Sequence, residues 1–294
     1  MKKFLLTILF SICLTPMASA NSSIAFLRYT GGYWQVWTMN QDGTSQKQVT
    51  TSKIDKRQIS WFKDGKRLLV SDNYDGVYTV DLGTGKEQKV KIRLPKVKVY
   101  ARDFVLSPDG KEVAYVFDRN AIGDGEIWIA SLDGKSSKMI FKSHDFLTHP
   151  VWTYDGQSIV YRVVPYNNNG EELGHNIWIM TKDGKNNRLI MTDYPSHSDQ
   201  VCSKNNQITF SSIRIDKDYN IWVVDMDGKG LKRITNNIGE AADPTWSPDG
   251  HSIAFGLNKT GKEQIWLMKR DGTALKQLTH GPQGARRPVW SYEY

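Results

Sequence analysis

The sequence predicts an all-β fold, a six-bladed β-propeller of four-stranded antiparallel blades whose chain ends pair to close the ring. Three observations predict it: an apolar-aromatic pair repeated six times, tight-turn motifs at fixed offsets from that pair, and termini that complement each other.

The N-terminal 20 residues stand apart. Lys2 and Lys3 precede an apolar run from Phe4 to Leu14, too short to span a bilayer, and Ala18-Ser19-Ala20 is a small-residue cleavage pattern. A secretory signal peptide over 1–20, cut before Asn21, is therefore expected, leaving 21–294 as a single domain outside the cytoplasm, periplasmic or secreted. A lipidated Cys13 fits less well, because Ile12 precedes it. No other stretch is apolar enough for a membrane helix, so membrane insertion is not expected.

With Cys13 removed, Cys202 is the one remaining cysteine, so packing rather than disulfides must hold the fold. Losing Lys2 and Lys3 takes the formal charge from +8 to +6. The basic residues are scattered through turns and strand edges, without a dense block or a nucleic-acid-binding motif, so a nucleic-acid partner is not expected.

The repeated pair occurs as Val36-Trp37, Val77-Tyr78, Ile127-Trp128, Ile177-Trp178, Ile221-Trp222 and Ile265-Trp266, with spacings of 41, 50, 50, 44 and 44 residues. Asp-Gly follows most pairs: Asp42-Gly43, Asp133-Gly134, Asp183-Gly184, Asp227-Gly228 and Asp271-Gly272, with Gly83-Thr84-Gly85 in the second copy. Between apolar runs this dipeptide predicts a tight hairpin, because Gly accepts positive φ. A second turn precedes each pair, fullest as Ser107-Pro108-Asp109-Gly110 and Ser247-Pro248-Asp249-Gly250 and degenerate as Ser203-Lys204-Asn205-Asn206. Each repeat is thus strand, turn, strand, variable loop, strand, turn, strand, which is one propeller blade. The first copy begins at Ser23-Ile24-Ala25-Phe26 without an innermost strand, and Pro288-Val289-Trp290-Ser291 supplies it. Ring closure by these segments removes exposed sheet edges, and a monomer is expected.

The run Asp243-Pro244-Thr245-Trp246-Ser247-Pro248-Asp249-Gly250, followed by Ile253-Ala254-Phe255, Ile265-Trp266-Leu267-Met268, Asp271-Gly272 and Leu278-Thr279, resembles the TolB-type propeller repeat. The resemblance extends over the mature chain in six copies of unequal quality. It implies a periplasmic, non-catalytic protein-binding module that contacts an envelope protein or peptide. The α/β domain and N-terminal extension of that family have no counterpart in this sequence, so a propeller-only relative is expected.

Blade order places the turn motifs on one face and the variable loops, among them Val164 to Asn176, on the other. The turn Asp and Gly residues are expected to be structural, and recognition is expected on the loop face. Three residues before each Trp-Ser-Pro-Asp-Gly tryptophan equivalent stand Gln58, Asp103, His149, Asp199, Asp243 and Arg287; Arg57, Arg102, Ser198 and Arg286 stand one residue earlier. Six-fold repetition predicts a ring of these residues at one channel mouth. Such a ring admits three uses: an Asp–Arg network tying blades together, a carboxylate and imidazole site for a divalent cation, or an arginine site for an acidic peptide group. No cofactor other than that possible cation is expected.

Gly-x-Ser-x-Gly, His-Glu-x-x-His and phosphate-binding Gly-rich loops do not occur. The alternative class is a propeller-type lyase or glycan-processing enzyme acting on acidic polysaccharide, with a metal or a base from His144, His149 or His197.

Overall fold

The computed structural model describes residues 23–74, 76–95, 101–118, 123–167, 169–194, 201–202, 204–215, 217–259 and 261–292. The leader expected at 1–20 lies outside them, as do His197, Ser198 and Asp199. The described residues form six four-stranded antiparallel sheets. From the channel outward, blade 2 comprises Lys56–Trp61, Arg67–Asp72, Val77–Asp81 and Glu87–Lys89; blade 3 comprises Ala101–Leu106, Glu112–Asp118, Gly125–Ser131 and Ser137–Lys142. Blade 4 follows with Phe146–Trp152, Ser158–Val164, Asn176–Thr181 and Arg188–Met191. Blade 5 has Val201–Cys202, Gln207–Ser212, Asn220–Asp225 and Lys232–Arg233, and blade 6 has Glu240–Trp246, Ser252–Asn258, Glu263–Lys269 and Lys276–Gln277. Blade 1 combines Ser23–Thr30, Tyr33–Asn40 and Lys47–Gln48 with Ala285–Trp290 as its innermost strand.

That last pairing closes the ring as the termini predict. Ile24 pairs with Trp290 and Ala25 with Val289, and the Ser291 N–H donates to the Ser23 carbonyl at 2.8 Å. Innermost strands of successive blades touch all the way round.

The core is divided into six apolar clusters, one at each blade seam. The repeated pair explains this division. Successive strand residues point to opposite sheet faces, so one member of each pair serves each seam. Ile127 packs toward blade 4 while Trp128 packs toward blade 2. Ile177 likewise faces blade 5 and Trp178 blade 3. The same split holds for the other four pairs. Every one of these tryptophans is thus a seam residue. Two of the motif tryptophans add a polar staple: Trp61 Nε1 donates to the Val289 carbonyl at 2.9 Å and Trp152 Nε1 to the Val105 carbonyl at 3.2 Å, each in the preceding blade.

Both turn motifs are held by their own side chains. The Ser107 hydroxyl donates to the Asp109 carboxylate at 2.6 Å and accepts the Glu112 N–H at 2.9 Å; Thr153 with Asp155 and Ser247 with Asp249 repeat the arrangement. In the outer hairpins, glycine answers a second demand. Gly43, Gly85, Gly134, Gly184, Gly228 and Gly272 all have φ between +71° and +90°. A Cβ on any of them would lie within 3.0 Å of a carbonyl oxygen of the preceding blade, 2.0 Å for Gly184 against Ile140. These glycines set how closely neighbouring blades approach.

Gly184→Ala should therefore cost more than conformation alone: about 1–2 kcal/mol for the left-handed backbone plus about 1–3 kcal/mol for displacing blade 3. Gly32→Ala, with φ +88° and nothing within 4 Å of its Cβ position, should show only the first cost. Denaturant titration of the two variants separates the contributions. Truncation after Gly284 removes the closing strand and should abolish a single cooperative transition, which differential scanning calorimetry reads directly.

Candidate functional site

The innermost strands share a recurring irregularity where the predicted ring residues stand. Pairing with the second strand breaks register between Arg102 and Val105, Thr148 and Val151, and Ala242 and Thr245, so two residues oppose one in a β-bulge. The closing strand does the same between Arg286 and Val289. The first bulged residue is left-handed each time: Asp103 at φ +56°, His149 at +53°, Asp243 at +49° and Arg287 at +54°. Non-glycine residues hold that conformation at a cost of about 1–2 kcal/mol each. The second bulged residue is Pro150, Pro244 or Pro288 in three blades. Proline fits there because this edge faces the channel and its missing N–H has no ladder to serve. In blade 2 the break falls earlier, between Lys56 and Gln58.

Four of the predicted ring residues, Gln58, His149, Asp243 and Arg287, line one cavity of about 210 Å³ that runs down the channel. Its walls carry apolar residues of the innermost strands, including Ile59, Phe104, Val151 and Val289, and its hairpin-face end is lined by Pro108, Tyr154, Lys204, Pro248 and Tyr292. Arg287 donates to the Arg57 carbonyl at 3.0 Å and its Nε stands 4.0 Å from Asp243.

Asp103 is withdrawn from the cavity and buried at the seam of blades 3 and 4. It accepts from Arg102, from the Thr148 hydroxyl at 2.9 Å and from the His149 N–H at 3.1 Å, with Arg57 at 3.9 Å. Burial alone would raise this carboxyl, but Arg102, His149 and Arg57 outweigh it and hold the group well below the usual carboxylate range. Arg102 is shared with Asp118 at 2.7 Å and also caps the Leu147 carbonyl at 2.6 Å. Burial, together with the nearby Asp103 charge, leaves Asp118 above its ordinary value despite its two bonds to Arg102. This knot bonds blade 3 to blade 4, which is the blade-tying use of an Asp–Arg pair. Arg286 instead lies over the Trp34 ring at 3.8 Å, where burial lowers its pKa and adjacent Arg287 lowers it further.

The possible channel cation finds no support. Among the described residues no group of three His, Cys, Asp or Glu side chains is placed to hold a metal ion, and Asp103 and Asp243 both face arginines. His144 is exposed and bonds Asp124 at 2.8 Å, apart from the channel-lining His149.

Sequence reasoning missed Glu263, which stands between blade 6 and the closing strand. Burial, reinforced by Asp243, pushes its carboxyl up to about 8, against the pull of Arg286 and Arg287. The one available signal was Gly256 inside an apolar strand: a Cβ there would fall 1.9 Å from the Glu263 Oε1. A second buried polar cluster lies between blades 4 and 5, where Asp193 accepts from Ser212 and Arg214, both at 3.0 Å. It anchors the loops bearing Tyr194 and Ile215.

A folded-state pKa above the unfolded value of 4.5 means that ionising Glu263 opposes folding. Its penalty is absent below pH 4.5, grows as pH rises to about 8, and is constant beyond. Thermal melts of Glu263→Gln and the parent across this window should show the variant gaining relative stability as pH rises, with no further change above about pH 8.

Residues 162–293 match the family described as TolB beta propeller domain. The Tol-Pal system protein TolB of Francisella tularensis subsp. tularensis (strain WY96-3418) is 32% identical over 133 residues, 43% of this chain and 29% of the relative. That of Anaeromyxobacter dehalogenans (strain 2CP-C) is 24% identical over 129 residues, 44% of this chain and 29% of the relative. The matched segment thus spans under a third of the length of these curated relatives. Among solved structures, TolB from Acinetobacter baumannii superposes with a TM-score of 0.75 at 17% identity, covering 92% of this chain and 67% of that one. An oligogalacturonate lyase in complex with manganese superposes with a TM-score of 0.58 at 13% identity, covering 87% of this chain and 73% of that one. At these identities the superpositions speak for fold alone. With its six sheets closed into one ring, the chain is a six-bladed β-propeller, and residues 162–293 are similar to the TolB beta propeller domain.

Proposed function

We propose that this propeller is a non-catalytic protein-interaction module of Tol-Pal type, exported to the periplasm, which holds an envelope protein or peptide on its loop face at the channel mouth. The observation that carries this reading is the arginine group Arg57, Arg286 and Arg287 on neighbouring innermost strands, together with apolar side chains exposed on the side of the propeller that bears the variable loops. Tyr74, Ile215 and Leu173 are 70%, 67% and 64% exposed, and Ile54, Tyr194 and Tyr29, the last near the end of its strand, are exposed as well. Exposed apolar residues around a polar centre suit a protein partner, with the rim supplying area and the arginines supplying orientation. The acidic group of the partner would meet Arg286 and Arg287, and Arg57 lies beside them. Export rests on the N-terminal basic-apolar-small pattern, and the Tol-Pal assignment on the relatives' shared repeats.

Affinity capture from envelope extract, with the mature protein as bait, tests the reading. A specific envelope protein should be retained by the parent and lost by a folded Arg286→Glu/Arg287→Glu variant, with affinity reduced at least about tenfold. Retention by the charge-reversed variant would remove the channel mouth from the account. Turnover of acidic polysaccharide without any retained protein would replace the module with the lyase alternative.

A further inference from the structure

The six blades act as controls for one another, and their outer edges differ. The outermost strand has two or three residues in blades 1, 2, 5 and 6, but four in blade 4 and six in blade 3. One register position makes the difference sharper. Opposite the repeated aromatic stand Gln48, Lys89, Arg233 and Gln277 in blades 1, 2, 5 and 6. In the adjacent blades 3 and 4 the same position carries Met139 and Leu189, 41% and 42% exposed.

Blade 3's long outer strand is also firmly seated. Phe141 packs on the Tyr161 ring of blade 4 at 5.4 Å, and the Ser137 hydroxyl meets the Tyr115 hydroxyl at 3.0 Å. Ser137–Lys142 ends its sheet, so apart from the bulge at Ile140, whose carbonyl lies against Gly184 of blade 4, its outer edge offers backbone N–H and C=O groups to an incoming strand. Its flanks are basic. Lys138 and Lys142 are exposed within the strand, which contains no acidic residue; Lys135 before it is paired with Asp133 at 3.1 Å, and exposed Arg188 in the outer strand of blade 4 donates to the Met226 carbonyl.

We propose that the outer edge of blade 3 is a second docking surface, which accepts an extended protein segment with alternating apolar and acidic residues as a fifth strand. The segment's apolar side chains would cover Met139 and reach toward Leu189, and its carboxylates would face Lys138 and Lys142. A second copy of this chain is disfavoured, because antiparallel self-pairing centred on Ile140 sets Lys138 against Lys142. This surface lies on the perimeter, independent of the channel mouth.

The test uses the full chain and a fluorescein-labelled heptapeptide, Thr-Glu-Val-Glu-Val-Glu-Thr, followed by fluorescence anisotropy and hydrogen exchange. Saturable binding is expected, with slowed exchange over residues 137–142 and at least about tenfold weaker affinity for Met139→Lys/Leu189→Lys. Both substituted positions are exposed, and an unchanged thermal melt verifies the variant's fold. Arg286→Glu/Arg287→Glu should bind the peptide as the parent does, which separates this surface from the channel mouth. No saturation by about 1 mM peptide, equal binding by the Met139→Lys/Leu189→Lys variant, or equal binding of the peptide with Lys in place of Glu would overturn the proposal. Self-association through this edge in sedimentation would overturn it as well.

Discussion

The approach of one blade to the next is the constraint on which the rest of this structure depends. At every seam a left-handed glycine lies under a carbonyl oxygen of the preceding blade, where any Cβ would collide. The apolar-aromatic pair fills the seam from both sides, with the aliphatic residue facing forward and the aromatic facing back. Repeating that relation six times brings the sixth blade against the first, where the C-terminal strand completes the sheet. Stability is therefore distributed over similar seams, and no single large core has to exist.

Such a scaffold leaves its loop face free to vary. The innermost strands carry a strain of their own, with Asp103, His149, Asp243 and Arg287 held left-handed in their bulges. Of these four, His149, Asp243 and Arg287 line the shared cavity, whereas Asp103 is buried at the seam of blades 3 and 4. The six positions have nevertheless diverged. Blade 3 spends its carboxylate on a knot with Arg102, Thr148 and His149, whereas the closing strand presents adjacent arginines beside Asp243, Glu263 and Trp34. Positive charge thus gathers at the blade 6 to blade 1 seam, on the face that also exposes Tyr29, Ile54 and Tyr74.

The fold was legible because its determinants are local and repeated. Ile-Trp pairs, Asp-Gly hairpins and the complementary ends at Ser23 and Trp290 carry it even where single copies decay, as at Gly83-Thr84-Gly85. The family match falls on 162–293, which includes the fullest turn motif at Ser247 to Gly250. The site was legible in position but less so in orientation. Counting back from each tryptophan finds the bulge, yet counting says nothing of where a side chain turns once its neighbours differ. Asp103 turns inward because Arg102 and Thr148 meet it there; blade 2 breaks register one residue early, which changes what Arg57 and Gln58 face. Glu263 escaped notice because its environment comes from three separate segments, joined only by Gly256 and the closing strand.

The most direct measurement of the central claim, recognition at the loop-face mouth, is a hydrogen-exchange footprint of the propeller with and without its captured envelope partner. The account predicts slowed exchange in the loops around Tyr29, Tyr74, Leu173 and Ile215 and in the bulges at His149 and Arg287, with the Asp-Gly hairpins unchanged. Protection confined to the hairpin face, leaving those loops and bulges as they are in the free protein, would contradict it.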